Sequence, residues 1–284
     1  MPDRARRGWA FSPLGFARRV ATGAYEDNIL FLASALTFEA LVAALPFAIL
    51  LVSTLGFALH AGEESAADLV RIMDALLPGG GTSESVRRLE DIVEGVISSR
   101  AQLSLYGLPI FLWFATRLFA GARSALNEVF DTEENRSFFV GKGIDLVMVV
   151  VSLALIVANA VLTVSFANAP WVGRFVSELS TFAVGIFLFF LVYIVLPSRP
   201  IRWDTAIVAA AVAALSFEIA KVLFTLYLSN FATFDRLLSN ANAIAVLLGV
   251  LWVYYTAVVF LVGGEVAETY DLMRRQRVQL AILA

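Results

Sequence analysis

Six long apolar stretches follow one another along the chain, with polar segments between them. Each holds at least the roughly 20 residues that a helix needs to cross about 30 Å of hydrocarbon. None alternates apolar and polar residues as a barrel strand does, and backbone in lipid must satisfy its own hydrogen bonds. We therefore predict an all-α polytopic membrane protein with a six-transmembrane-helix bundle. The predicted spans are Ile29–Leu55, Leu103–Ala122, Ile144–Phe166, Phe175–Leu196, Thr205–Leu228 and Ala243–Gly264.

The long segment between the first two spans, residues 60–102, has a helical pattern of its own. "SAADLVRIMDALLP" and "SESVRRLEDIVEGVIS" each place apolar residues three and four positions apart, and "PGGGTS" between them is typical of a turn. The pattern predicts an extracytoplasmic amphipathic helical hairpin between helices 1 and 2. Three alternatives remain open for its apolar face: packing on the spans, lying on the outer leaflet, or capping the bundle.

The first 28 residues have the composition of a segment at the membrane surface. Ser12-Pro13 is a favourable helix start, Trp9, Phe11 and Phe16 suit the headgroup region, and Arg18 and Arg19 suit anionic lipid. The predicted division is a cytoplasmic N-terminal segment with an interfacial amphipathic helix (1–28), a transmembrane domain that includes the hairpin (29–265) and a cytoplasmic tail (266–284).

Composition supports the membrane assignment and excludes several classes of function. Hydrophobic residues make up 60% and charged residues 16% of the 284, and the mean hydropathy is +0.80. Soluble domains are about 45–50% apolar and about 25% charged. The net charge of −3 gives no reason to expect a nucleic acid partner. No cysteine is present, which excludes disulfides, thiol catalysis and cysteine metal sites.

The lysines and arginines predict the orientation of the spans. Of the 21 basic residues, 13 fall in the segments that share a side with the N-terminus. Six fall on the other side: Arg71, Arg87, Arg88, Arg100, Arg174 and Arg236. Because basic residues concentrate in cytoplasmic segments, both termini are predicted to be cytoplasmic.

Four charged residues lie deep within predicted spans: Glu39, Arg117, Glu218 and Lys221. Each costs about 2.5–3.5 kcal/mol near the bilayer centre unless it is paired or meets water. Counted from the inner boundary at 1.5 Å per residue, Glu39 and Arg117 lie at depths close enough for their long side chains to meet, while Glu218 and Lys221 share a helix face higher up. We predict a polar seam inside the bundle made of these two pairs. A substrate or ion pathway and a purely structural role both remain open.

Weaker signals come from single residues that affect helix packing. Pro46 is predicted to bend the first span, as a simple bend or as a gate, and Asn127, Asn159 and Asn240 are candidates to donate across helices. Glu265 and Glu268, at the inner end of the sixth span, are expected to be wet.

Enzyme signals are poor. The single histidine, His60, has no partner pattern for a triad or a zinc site, and "PGGGTS" lacks the lysine of a phosphate-binding loop. No carboxylate cluster with metal spacing is visible in the sequence. We predict no catalytic residue, no metal and no cofactor.

Four stretches of the chain form a recognisable set. They are "LASALTFEALVAALPFAILL", "FLWFATRLFAGARSALNEVFD" with Trp113, Arg117 and Asn127, the block from Leu196-Pro197 through Arg202-Trp203 to Tyr227, and the closing span with Trp252 and Glu265. Together they resemble the YihY/BrkB family of bacterial membrane proteins. The chain departs from the family pattern at Ser239-Asn240, where a Tyr-Gly pair is usual, and at Glu39, where an aromatic residue is common.

The resemblance implies a multi-pass protein of the bacterial plasma (inner) membrane with six helices. It marks Pro46, Asn127, Arg202, Trp203 and Glu265 as helix-packing or gating candidates. Relatives have been labelled as a ribonuclease, and the residues give that label no chemical support. We expect purified protein to leave RNA intact.

Together these observations predict a transporter or exporter of a small or amphiphilic, lipid-like substrate that does not use ATP directly. The alternative is a structural membrane scaffold or envelope assembly factor. The expected partners are membrane lipids, and either a second copy of the chain or an envelope protein, with no nucleic acid.

Overall fold

The computed structural model describes residues 13–58, 100–132, 136–165, 172–231 and 241–282, and every regular element within them is an α-helix. We number the seven helices in chain order. They are α1 (Pro13–Glu26), α2 (Ile29–Ala58), α3 (Arg100–Val129), α4 (Phe138–Ser165), α5 (Val172–Val195), α6 (Trp203–Phe231) and α7 (Ala241–Ile282).

Four of these helices carry a stretch that is long and apolar enough to cross a membrane. The stretches are Ile29–Ala48, Phe138–Leu162, Trp203–Tyr227 and Val246–Gln279, with mean hydropathy between 2.0 and 2.5. In α5 the apolar stretch is shorter, Leu179–Val195. Leucine, phenylalanine and valine side chains also cover much of the outer surface, including Phe31, Leu45 and Val157. A soluble monomer rarely exposes so much apolar surface, and lipid covers it at no cost.

Four of the six predicted spans lie wholly within α2, α3, α6 and α7, which extend beyond them. The spans predicted in α4 and α5 agree except for their last residues, since Phe166 is outside the described residues and Leu196 follows the end of α5. The first described residue of α1 is Pro13, so the helix start predicted at Ser12-Pro13 stays a prediction. At its far end α7 continues past Gly264 to Ile282, because Val266, Ala267 and Met273 bury a face there against the bundle. The boundary predicted between residues 265 and 266 therefore falls inside one uninterrupted helix. Of the predicted hairpin, residues 60–99 lie outside the described residues, and 100–102 form the start of α3.

The core lies between helices that approach closely on small side chains. Along α6, alanines at 206, 209, 210 and 213 are 0–1% exposed and form one buried face. This face packs against α5 and α7, where Val192, Tyr193 and Ala267 meet it. A second cluster joins α2, α3 and α7 around Leu36, Ala125 and Leu261, and a third joins α2, α3 and α4. Small residues at such contacts allow the close backbone approach on which helix association in lipid depends.

Candidate functional site: a buried carboxylate cluster

A sharp turn between α1 and α2 sets the position of one acidic side chain. Asn28 has φ of 52°, a left-handed conformation that asparagine tolerates better than most residues. Its carbonyl accepts hydrogen bonds from the amides of Phe31 and Leu32 at 2.8 and 3.1 Å, so α2 starts directly after the turn. Asp27 lies at this turn, half-buried, where the end of α1 meets α7.

Asp27 meets two glutamates from the other end of the chain. Glu265 and Glu268 are three positions apart on α7, and such residues share a helix face. One carboxylate oxygen from each of the three residues lies within 4.8 Å of the others. Glu265 is 3% exposed and Glu268 is 7% exposed. We call Asp27, Glu265 and Glu268 the carboxylate cluster.

The close approach of the carboxyl groups favours a proton among them. Oxygens of Asp27 and Glu265 lie within 4.8 Å of each other, and two ionised carboxylates offer only acceptors. Thr269 Oγ1 donates to Glu265 Oε1 at 3.5 Å, while Glu265 Oε2 is buried and has no hydrogen-bond partner. A carboxyl group buried in this way is favoured in its neutral form, or beside a cation.

The electrostatic surroundings of Asp27 also favour its protonated form. Burial raises the pKa of Asp27 above its usual value, the hydrogen bond with Glu265 lowers it, and the negative charges of Asp131, Glu128 and Glu26 raise it further. The nearest described positive charge acting on the cluster is Arg199, which acts on Glu268. Arg199 also pairs with Asp271 at 3.6 Å, so its charge is shared.

Two sequence predictions are corrected at this site. Glu265 and Glu268 were expected to be wet and are instead buried, because the α1–α2 turn covers this part of α7. The sequence also showed no carboxylate cluster with metal spacing, whereas the fold assembles one from distant segments. Carboxylate oxygens suit hard cations such as Mg²⁺ and Ca²⁺, so the cluster has a ligand set for a proton or a hard cation.

Both predicted ion pairs are present, but they are not sealed inside the bundle. Glu39 Oε1 lies 3.5 Å from Arg117 Nε, and the Glu39 side chain is 21% exposed while that of Arg117 is 64% exposed. Glu218 Oε1 lies 2.7 Å from Lys221 Nζ, with side chains 37% and 38% exposed. The prediction that these side chains form a seam inside the bundle is wrong for Arg117, Glu218 and Lys221, and it holds only for Glu39. An α-helix turns by about 100° per residue, so Glu218 lies beside the buried alanine face of α6 and not on it. This position explains its partial exposure.

The carboxylate of Glu39 occupies a confined position. It lies against the Cα of Gly121 on α3, where any larger residue would collide with it. Glu39 Oε2 is buried without a hydrogen-bond partner. The α2–α3 contact therefore holds a carboxylate whose only described charge partner, Arg117, reaches it from the outer surface.

The helix-packing candidates have separate positions. Asn127 is buried, donates to Ser198 Oγ at 2.9 Å and accepts from the Ser198 amide at 2.8 Å, so it bonds the turn between α5 and α6 and not another helix. Asn159 of α4 bonds Thr181 and Ser180 of α5 at 3.2 Å, whereas Asn240 lies outside the described residues.

Pro46 is buried within a continuous α2. Arg202 pairs with Asp204 at 3.2 Å, and Trp203 is 64% exposed at the start of α6.

Sequence reasoning missed the most deeply buried ion pair among the described residues. Arg123 of α3 donates to both carboxylate oxygens of Asp145 on α4, at 3.2 and 2.9 Å, and Asp145 is 0% exposed. Asp145 lies within the predicted span Ile144–Phe166, so a buried charge was visible in the sequence. Its partner was not, because Arg123 directly follows the predicted span Leu103–Ala122 and was counted with the polar segment. It was also not foreseen that Arg136 donates to the carbonyls of Val195 and Pro197, which fixes the end of α5.

Comparison with known proteins identifies the family. The virulence factor BrkB family matches residues 20–281, nearly the whole chain. The chain belongs to the virulence factor BrkB family. Among similar BrkB-type proteins are UPF0761 membrane proteins of Chlorobium phaeobacteroides (26% identical, 88% of this chain and 58% of that protein), Alteromonas mediterranea (26%, 84% and 82%) and Pseudoalteromonas atlantica (23%, 94% and 89%).

The BrkB match confirms the resemblance to this family and a polytopic membrane protein with bacterial relatives. The chain spans less than two-thirds of the length of the Chlorobium relative. No solved structure matches this BrkB-family chain.

Proposed function

We propose that the chain is a six-span inner-membrane transporter that moves a small or amphiphilic, lipid-like substrate without direct use of ATP. Proton binding at the carboxylate cluster would supply the coupling. The observation that carries the proposal is the close approach of three carboxyl groups, in which oxygens of Asp27 and of the buried Glu265 and Glu268 lie within 4.8 Å of one another. A protonated carboxyl pair that joins two helices is a natural two-state element, since ionisation replaces its hydrogen bond by repulsion.

The proposed topology has both termini in the cytoplasm. The ends of α3, α5 and α7 and the starts of α2, α4 and α6 share one end of the bundle, as Asn127–Ser198, Arg199–Asp271 and Arg123–Asp145 illustrate. Arginines and lysines are concentrated at this end, which supports its placement on the cytoplasmic side. The carboxylate cluster would then receive protons from the cytoplasm.

Charged pairs elsewhere in the bundle support a polar route through it. Glu39 with Arg117 and Glu218 with Lys221 lie in spans that otherwise carry apolar side chains. Ionisable residues in spans usually face protein or a water-filled cavity and mark pathways. Their partial exposure suits a substrate that enters from the side with its headgroup against the charges and its acyl chain in lipid.

The proposal is tested in vesicles that contain the purified chain and a fluorescent phosphatidylglycerol. We expect wild-type protein to increase redistribution of the lipid between leaflets, and to do so faster when a pH gradient is imposed. Asp27→Asn and Glu265→Gln should lose the response to the gradient, while Glu26→Gln, an exposed neighbour of the cluster, should keep it. Glu218→Gln and Lys221→Met test the second charged pair in the same assay.

The alternative, a membrane scaffold or envelope assembly factor, is favoured by the bonds that fix the α5–α6 turn to α3, namely Asn127 to Ser198 and Arg136 to Val195 and Pro197. Wild-type vesicles that match protein-free vesicles would reject transport of this lipid. A stoichiometric partner recovered by crosslinking in cells would then support the scaffold, and a crosslink between two copies would identify a homo-oligomer.

We propose no enzymatic activity. Glu265 and Glu268 are almost fully buried, so an RNA phosphodiester does not reach the carboxylate cluster. Purified protein should leave RNA intact with Mg²⁺ or Mn²⁺ present. Metal-dependent cleavage that disappears in Glu268→Gln would overturn this expectation.

A further inference from the structure

A cleft of about 590 Å³ lies beside the start of α6, apart from the carboxylate cluster. Its walls come from α1, the first turns of α6 and the last third of α7. The charged side chains that line it are Arg274 and Arg277 on α7 and Asp204 on α6. Two guanidinium groups and one carboxylate therefore line the cleft.

The cleft holds Arg274 in a fixed place. Arg274 Nη1 donates to Asp204 Oδ2, and Asp204 Oδ1 accepts from Arg202 Nε at 3.2 Å and from the Thr205 amide at 3.0 Å. Two arginines and the positive end of a 29-residue helix therefore surround a single carboxylate. A guanidinium has five N–H donors, and planar donors of this kind suit phosphate oxygens.

The other wall residues are apolar or amphipathic. Phe16 of α1, Val208 of α6 and Met273 of α7 line the cleft together with Tyr270. Val208 lies one helical turn, about 6 Å, deeper than Asp204. Trp203 is 64% exposed beside the cleft, and tryptophan and tyrosine are enriched at the headgroup level of membranes. Two arginines therefore share the cleft with the apolar side chains of Phe16, Val208 and Met273, which we call its apolar floor.

We propose that this cleft binds the phosphate headgroup of an anionic phospholipid, with Arg274 and Arg277 on the phosphate and the glycerol and first acyl carbons against Phe16, Val208 and Met273. Free phosphate would make no use of the apolar floor, and a zwitterionic headgroup would bring its own cation towards the arginines. The site does not rest on the proposed transport. Its lipid is a bound one that holds α1, α6 and α7 together.

The test uses the purified chain in neutral detergent with short-chain phosphatidylglycerol, short-chain phosphatidylcholine or inorganic phosphate. The readouts are the thermal unfolding midpoint and native mass spectrometry. We expect phosphatidylglycerol alone to raise the midpoint and to remain bound in the gas phase. Equal effects of phosphatidylcholine would overturn the charge argument, and equal effects of inorganic phosphate at matched concentration would reduce the site to a free-anion site and overturn the proposal.

Arg277→Gln is the primary variant, because Arg274 also holds Asp204 and its loss can disturb the fold. Losing one charged hydrogen-bond donor should weaken the apparent affinity for phosphatidylglycerol about tenfold. Arg275→Gln is the matched control, since Arg275 is the neighbouring exposed arginine and pairs with Asp271 at 2.8 Å outside the cleft. Equal losses in Arg275→Gln and Arg277→Gln, or none in Arg277→Gln, would refute the proposal. Neither readout measures transport. A negative result for lipid binding at the cleft would therefore leave the proposed transport function untouched.

Discussion

At the residue scale, the carboxyl group of Glu265 has very little freedom. It lies against the Cα of Gly23 on α1, where a methyl group would collide with it, and it bonds Asp27 on one side and Thr269 on the other. A carboxylate confined in this way loses most of its hydration, so neutralisation by a proton is strongly favoured. The α1–α2 turn and α7 are therefore coupled through a single protonation event.

Asp27→Asn should stabilise the protein at neutral pH. A carboxyl whose pKa is raised on folding contributes stability that is fully present below its unfolded pKa, near 3.8, and is lost as the pH rises through its folded pKa. Asparagine keeps the ability to bond Glu265 and carries no charge. The unfolding midpoint of the variant should equal that of wild type near pH 3.8 and exceed it increasingly as the pH rises.

Glu26→Gln is the control for this pH series, because Glu26 is exposed at the end of α1. Because the charge of Glu26 is one of those that raise the pKa of Asp27, its curve should meet wild type at low pH and lie only slightly above it at high pH, well below that of Asp27→Asn. A constant offset between Asp27→Asn and wild type at every pH would show that the substitution acts through packing and that Asp27 does not titrate with folding.

Asp145→Asn should be among the more damaging single substitutions. It leaves the guanidinium of Arg123, 18% exposed, without its carboxylate, and breaking a buried pair on one side costs about 3–5 kcal/mol. Adding Arg123→Gln should recover part of that loss, which a double-mutant cycle in detergent unfolding measures. As a control, Arg275→Gln removes the exposed partner of Asp271 and should lower the free energy of unfolding by at most about 1 kcal/mol. A loss in the double variant equal to the sum of the single losses would mean that the two residues do not interact energetically.

Sequence patterns predicted the charged pairs better than the carboxylate cluster, for a physical reason. Glu218 and Lys221 are neighbours on one helix, so their spacing alone predicts contact. Glu39 and Arg117 required only an argument from equal depth. Asp27 and Glu265 lie near opposite ends of the chain, and their contact depends on the left-handed turn at Asn28 and on the unfilled space at Gly23. Nothing in the local pattern of either segment carries that information.

At the scale of elements, α7 is placed by two adjacent glycines. The Cα of Gly263 faces the hydroxyl of Tyr193 and the Cβ of Ala213, and that of Gly264 faces Leu126. Tyr193 is fully buried, donates to the Phe260 carbonyl at 2.6 Å and stacks on the Phe260 ring at 5.7 Å. The helices were predictable from apolar run length. This close contact was not, because a glycine pair in a span indicates close approach without naming the partner helix.

Gly263→Ala should separate α7 from α5 and α6. The new methyl group would lie 2.8 Å from the Ala213 Cβ, which has no rotamer to escape into, and overpacking of this kind costs about 1–3 kcal/mol. Gly249→Ala, on the same helix with no atom within 4 Å of its added Cβ, should be neutral or stabilising, since alanine favours helix over glycine. The detergent unfolding midpoints of the two variants make the comparison. Equal midpoints would mean that α7 shifts freely at this contact.

At the scale of the whole molecule, the absence of cysteine gives a direct route to topology. Single cysteines can be introduced without removing any native thiol. Ser137 lies between α3 and α4 and Gln279 lies near the end of α7, and both are exposed. Ser83 lies in the segment between α2 and α3, on the opposite side in the proposed arrangement.

We expect an impermeant maleimide added to intact cells to label Ser83→Cys and to leave Ser137→Cys and Gln279→Cys unlabelled until the membrane is opened. The arrangement follows from six crossings with basic residues retained in the cytoplasm. In the six-span arrangement five crossings separate Ser83 from Gln279. Labelling of Gln279→Cys and Ser83→Cys from the same side would require an even number of crossings between them and would therefore reject the six-span topology.

The unbroken course of α7 has a mechanical consequence. Its 42 residues make a rod about 63 Å long, roughly twice the thickness of the hydrocarbon layer. A lever arm of about 30 Å then projects from the bilayer, and a tilt of about 10° would swing its tip by about 5 Å. Arg19 of α1 donates a hydrogen bond to Gln276 on this projecting part of α7 at 3.2 Å. A tilt of α7 away from α1 would have to break that bond.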